Sequence, residues 1–69
     1  MTEIQSKIYS AIRDYVKAKG YPPTVREIGQ AVGLRSLHTV HSHIAKMKHE
    51  GYVDFEPGKP RTLRLIKDL

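Results

Sequence analysis

Cysteine is absent from all 69 residues, so the chain has neither a disulfide nor a thiolate zinc site to support its fold. That absence suits a reducing compartment, and the chain is expected to be cytoplasmic. A long apolar run is missing too. The opening MTEIQSKIYSAIRDYVK carries charges throughout, which matches neither a signal peptide nor a membrane-spanning helix. Sixty-nine residues leave no room for a second domain, and a core of this size supplies only roughly 3 to 5 kcal/mol of net stability. No nucleophile elbow, phosphate loop or zincin pattern occurs, so no enzyme and no cofactor is expected. The most informative gap is local: residues 28–49 contain no Asp or Glu at all.

That acid-free stretch holds Arg35, Lys46, Lys48 and all four histidines. The whole chain has 12 Lys and Arg against 7 Asp and Glu, a formal net charge of +5. A solvated basic surface would explain the sum; the clustering favours a polyanionic partner, because nothing in one contiguous segment repels phosphate.

Hydrophobic spacing predicts three helices. Ile4, Ile8, Ala11, Tyr15 and Ala18, with Ile12 beside them, form an amphipathic stripe over 3–19, with Thr2 as N-cap and Gly20 as stop. Tyr21-Pro22-Pro23 forces an extended link, after which Thr24 and Glu27 have capping-box spacing. A short second helix with Val25, Ile28, Ala31 and Val32 inward would close at Gly33. The third helix, over 37–50, starts after Ser36 and turns Leu37, Val40, Ile44 and Met47 to the core. Only three residues separate Gly33 from it, the spacing of a tight helix-turn-helix. Alternation over 52–56 and 61–65 around Pro57-Gly58-Lys59-Pro60 predicts a β-hairpin with Val53, Phe55, Leu63 and Leu65 packed on the helices. Residues 67–69 are expected to fray. The class is mostly α with a small β-hairpin, a single domain over 1–69.

Opposite the Val40 stripe, the third helix presents His38, Thr39, Ser42, Ala45, Lys46 and His49, with His41 at one flank. Short polar side chains with one alanine permit close approach to base edges, whereas a merely solvated helix favours long charged pairs. Arg35 and Ser36 stand at the positive N-terminal end of this helix, where amides attract phosphate; Ser36 can also be a plain cap. Lys59 and Arg61 flank the hairpin tip, as in a wing that reaches along DNA, or simply as a soluble basic turn. His38 and His41 are three apart and could share one metal ion, but they have no cysteine and no evident acidic orienter; no metal site is expected. His43 reads as a packed structural histidine.

The run GYPPTVREI at 20–28, continuing through Ala31-Val32-Gly33-Leu34, then Ser36, Thr39-Val40-His41 and His43-Ile44, and closing with Gly51 and Lys59-Pro60-Arg61, resembles the DNA-binding domain of the LexA repressors across essentially the whole chain. The resemblance implies a three-helix winged helix-turn-helix that represses transcription by placing its third helix in the major groove of palindromic SOS-type operators. It implies base contacts at Ser36, His38, Thr39, His41 and Ser42, to which the charge pattern adds backbone contacts at Arg35, Lys46, Lys59 and Arg61. The expected partner is double-stranded DNA, with a monomer in solution that can pair on a palindrome. That family also carries a dimerising, self-cleaving C-terminal domain, which these residues do not include; an excised domain and a naturally short regulator both fit. Leu37-His38 departs from the small or polar residues of the family at the head of the third helix, which bears on the preferred operator. The alternatives are a winged-helix protein-interaction module, against which the acid-free stretch argues, and a metal-sensing regulator using His38 and His41.

Overall fold

Each helix begins where a side chain can accept the first free amides. In the computed structural model, which describes residues 1–67, α1 spans Glu3–Lys19, α2 Val25–Val32 and α3 Leu37–His49. Thr2 Oγ1 accepts from Gln5 N at 3.2 Å while Gln5 Oε1 accepts from Thr2 N at 3.3 Å, and this reciprocal box explains why a glutamine is buried in α1. Thr24 and Glu27 form the same box on α2, at 3.1 and 2.8 Å. Ser36 caps α3 more loosely, through Thr39 N at 3.4 Å.

The helix-turn-helix depends on two glycines. Gly33 adopts φ +79, the left-handed conformation that ends α2, and Leu34 N then donates to Gly29 O at 2.9 Å. Gly29 lies inside α2 at its contact with α3, where a Cβ would stand 3.1 Å from Val40 Cγ2. After α3, two antiparallel strands, β1 (Val53–Asp54) and β2 (Arg64–Leu65), pair Val53 with Leu65 and Asp54 with Arg64. The architecture is mostly α with a small hairpin: a three-helix winged helix-turn-helix.

The core joins Ile8, Tyr9 and Ile12 of α1, Ile28 of α2, Val40, Ile44 and Met47 of α3, and Val53 and Leu63 from the hairpin. Several inward assignments from the sequence are corrected. Tyr9 is buried although it falls outside the expected α1 stripe; its ring packs in the core while its hydroxyl donates to Lys67 O. Ala18 and Ala31 are exposed: Ala18 lies in the last turn of α1, and Ala31 borders an open cleft between α1 and α2. Leu37 is 38% exposed: as the first residue of α3 it borders two open clefts. Glu50 is the cap of α3 rather than its last residue.

The strands are shorter than the alternation suggested because side chains replace the ladder. Asp54 Oδ1 takes the Phe55 amide at 2.9 Å and Thr62 Oγ1 takes the Glu56 amide at 2.9 Å. Pro57 and Pro60 have no N–H to offer, and Arg61 sits at φ +58, which breaks the extended course. Phe55 and Leu65 are consequently half-buried against the core. Lys67 is held, with its amide directed at Tyr52 O (3.4 Å) and its ammonium 4.7 Å from the Tyr52 ring centre; the rest of the segment expected to fray, 68–69, lies outside the described residues.

Candidate nucleic-acid interface

Three elements meet around the head of α3. Ser36, His38, His41, Ser42, Ala45, Lys46 and His49 are all exposed, whereas Thr39 and His43 are half-buried at the margins of the face. Val40, Ile44 and Met47 anchor the opposite side with no exposure, so the polar face has one fixed orientation relative to the domain. The small side chains at Ser42 and Ala45 leave the middle of the helix open to close approach.

A groove of about 490 Å³ runs beside this face, between the start of α2, the head of α3 and the wing formed by residues 55–63. Arg26, Leu37, His41 and Lys59 are among its lining residues. Another cleft crosses the helix-turn-helix and includes both Arg26 and Arg35. Arg26 was not among the sequence-derived candidates. It lies nine positions from Arg35, and only the fold of α2 against α3 brings the two to one surface.

The cations differ in how free they are. Arg26, Arg35 and Lys46 form no ion pair among the described residues and remain exposed. Lys59 pairs with Glu56 at 3.2 Å, but both side chains are mostly exposed, so a phosphate can displace the carboxylate at little expense. Arg61 points back at the domain. Its guanidinium meets Glu27 Oε1 at 3.0 Å and Oε2 at 3.3 Å, donates to Pro22 O at 3.1 Å and Tyr15 Oη at 3.3 Å, and stacks 4.9 Å from the Tyr21 ring centre. Of the sequence-derived candidates, His41, Lys59 and Arg61 line the first groove, Arg61 with its guanidinium engaged by Glu27, and Arg35 lines the second cleft.

Glu27 is the other half of that cluster. Its carboxyl is pulled from 4.5 to about 2, first by the Thr24 amide of the capping box, then by the Tyr15 hydroxyl at 2.8 Å and the Arg61 guanidinium. It therefore stays ionised at every physiological pH. Lys48, the remaining cation of the acid-free stretch, is also occupied: its ammonium donates to Phe55 O at 2.9 Å and faces Asp54 at 3.5 Å.

Comparison with known proteins identifies the family. The model of the LexA DNA binding domain matches residues 1–62. The LexA repressor of Staphylococcus aureus strain Newman is 48% identical over 68 residues, covering 99% of this chain and 33% of the relative. The LexA repressor of strain USA300 shows the same identity and coverage. The chain thus spans about a third of the length of the curated relatives it matches. With the family model covering all three helices and β1, the chain belongs to the LexA DNA-binding domain family.

Proposed function

We propose that this domain binds double-stranded DNA in a sequence-specific way and represses transcription by occupying a palindromic operator of the SOS type, in the cytoplasm. The observation that carries the reading is the acid-free face of α3, bordered by Arg26, Arg35 and Lys46, which form no ion pair among the described residues. α3 enters the major groove head first, as helix-turn-helix reading helices do. Ser36, His38, Thr39, His41 and Ser42 meet base edges: each hydroxyl is donor and acceptor, and a neutral imidazole offers one of each. Arg35, Lys46 and Lys59 grip phosphates on either side of the groove, with Arg26 joining Arg35, and the amides at the head of α3 favour the same anion. Arg61, engaged by Glu27 within the groove, supports the wing instead of gripping a phosphate.

The domain works as a monomer in solution, and two copies pair on the two half-sites of a palindrome. The test is a titration of the domain with a duplex selected from a random library, and with its scrambled counterpart, at several salt concentrations. With about four phosphates neutralised, log affinity falls against log salt at a slope near −3.6. A slope of zero, or equal affinity for both duplexes at every salt, rejects this function.

A further inference from the structure

Beyond the packing of Phe55 and Leu63 on the core, polar side chains tie the wing to the helices at two places, and one of them is a glutamate of α2. Only four residues of the hairpin pair as strands, so residues 55–63 extend past their own ladder. Near β1, Lys48 of α3 holds Phe55 O. On the return arm, Arg61 closes onto Glu27, Pro22 and Tyr15, and covers Tyr21, whose ring meets that of Tyr15 edge-on at 5.9 Å. Arg61 does this from φ +58, a conformation that a non-glycine residue keeps only where its surroundings compel it. An isolated surface ion pair would matter little. Here a two-pronged guanidinium is shared between a carboxylate, a carbonyl, a phenol and a ring face, and the carboxylate is itself fixed in the capping box of α2.

We infer that the Glu27–Arg61 pair is a clasp that sets the wing at a fixed angle to α3, making Glu27 a positioning residue for operator binding although it touches no DNA. The inference rests on the DNA-binding reading above. It gives the carboxylate an effect opposite to that of simple electrostatics. Removing a negative charge from a DNA-binding surface ordinarily strengthens attraction to phosphate, and releasing Arg61 would add one more cation. With a clasp, the same change lets the wing swing, and Lys59 at its tip is no longer held beside the groove.

The experiment compares the wild-type chain with Glu27→Gln, which preserves capping-box chemistry because glutamine serves at that position as well as glutamate. Arg61→Lys, which keeps the charge but loses the fork and the stacked face, repeats the test away from the cap. Backbone ¹⁵N relaxation of residues 55–63 reads the wing without DNA, and fluorescence anisotropy reads affinity for a duplex selected from a random library. The expected result is faster wing motion in both variants, with operator affinity reduced about five- to tenfold. Adding Arg61→Gln to Glu27→Gln should change affinity by less than about twofold, since the pair acts as a unit. Wing relaxation identical to wild type in both variants overturns the clasp. Wing loosening with unchanged or tighter operator binding overturns the positioning role. If the wild type itself shows no salt-dependent binding to any duplex, the DNA reading fails and takes the positioning role with it, while wing relaxation alone decides the clasp.

Discussion

Gly29 and Val40 define how closely the second and third helices approach: a Cβ on Gly29 would lie 3.1 Å from Val40 Cγ2 and 3.3 Å from the Leu34 carbonyl oxygen. Val40 is fully buried, so its methyl has little room to retreat. Gly29→Val should therefore force α3 away from α2 and destabilise the domain by about 1 to 3 kcal/mol. Gly29→Ala sets a smaller clash against better helix propensity, and should stay within about 1 kcal/mol of wild type. Urea unfolding of both variants checks this. A Gly29→Val domain as stable as wild type would show that the two helices can part without penalty.

The polar face of α3 and its bordering cations should fail in different ways. Ser42 is exposed, so Ser42→Ala should leave stability within about 0.5 kcal/mol while weakening operator binding by about 1 to 3 kcal/mol and random binding hardly at all. Arg35→Ala should weaken both duplexes alike and reduce the salt slope by about one. Equal losses on both duplexes for Ser42→Ala would remove sequence readout from that residue.

Stability should be concentrated in very few side chains. Ile44 is fully buried at the centre of α3, and Ile44→Ala should remove about 2 to 5 kcal/mol, comparable with everything a core of this size supplies. That variant should be largely unfolded at 25 °C by circular dichroism. Leu37→Ala, at a position 38% exposed, should remain folded with a midpoint close to wild type. A folded, cooperative Ile44→Ala domain would place the core elsewhere.

The contrast between Ile44 and Leu37 also marks how far the sequence is readable. Both belong to one helical stripe, and periodicity treats them alike; whether a stripe residue is covered depends on where the neighbouring helix ends, which periodicity does not contain. Helix boundaries were legible because Thr2, Thr24, Ser36 and the glycines act locally, through bonds spanning a few residues. The hairpin was legible as a pair of alternating segments but not in its extent, since Asp54 and Thr62 capture amides that a ladder would otherwise use. At the interface, the outward face of α3 followed from its wheel. The engagement of Arg61 by Glu27 joins residues 34 apart, and the arrival of Arg26 beside Arg35 requires the fold, so neither could be read from spacing.

Acid should expose the carboxylates that hold the wing. Glu27 is lowered from 4.5 to about 2, and Asp54 is lowered as well, first by Arg64 at 2.8 Å, then by the Phe55 amide and Lys48. A carboxyl whose value is lower in the folded state favours folding fully only above its unfolded value, and that contribution disappears as pH falls through the folded one. Stability should thus be level above about pH 5.5 and decline from there toward pH 2, as the unfolded chain takes up protons that the folded domain refuses. Glu27→Gln should be less stable than wild type at pH 6 yet lose less between pH 6 and pH 2.5, because one of the groups responsible no longer titrates. Adding Asp54→Asn should flatten the curve further. The two carboxyls lie on different elements, Glu27 in α2 and Asp54 in β1, so their contributions to the slope should be close to additive. Urea midpoints at pH 6, 4 and 2.5 measure all three proteins. If the double variant declines as steeply as wild type, the acid sensitivity belongs to other carboxylates, and the hydrogen bonds around Glu27 and Asp54 do not hold these groups ionised in solution.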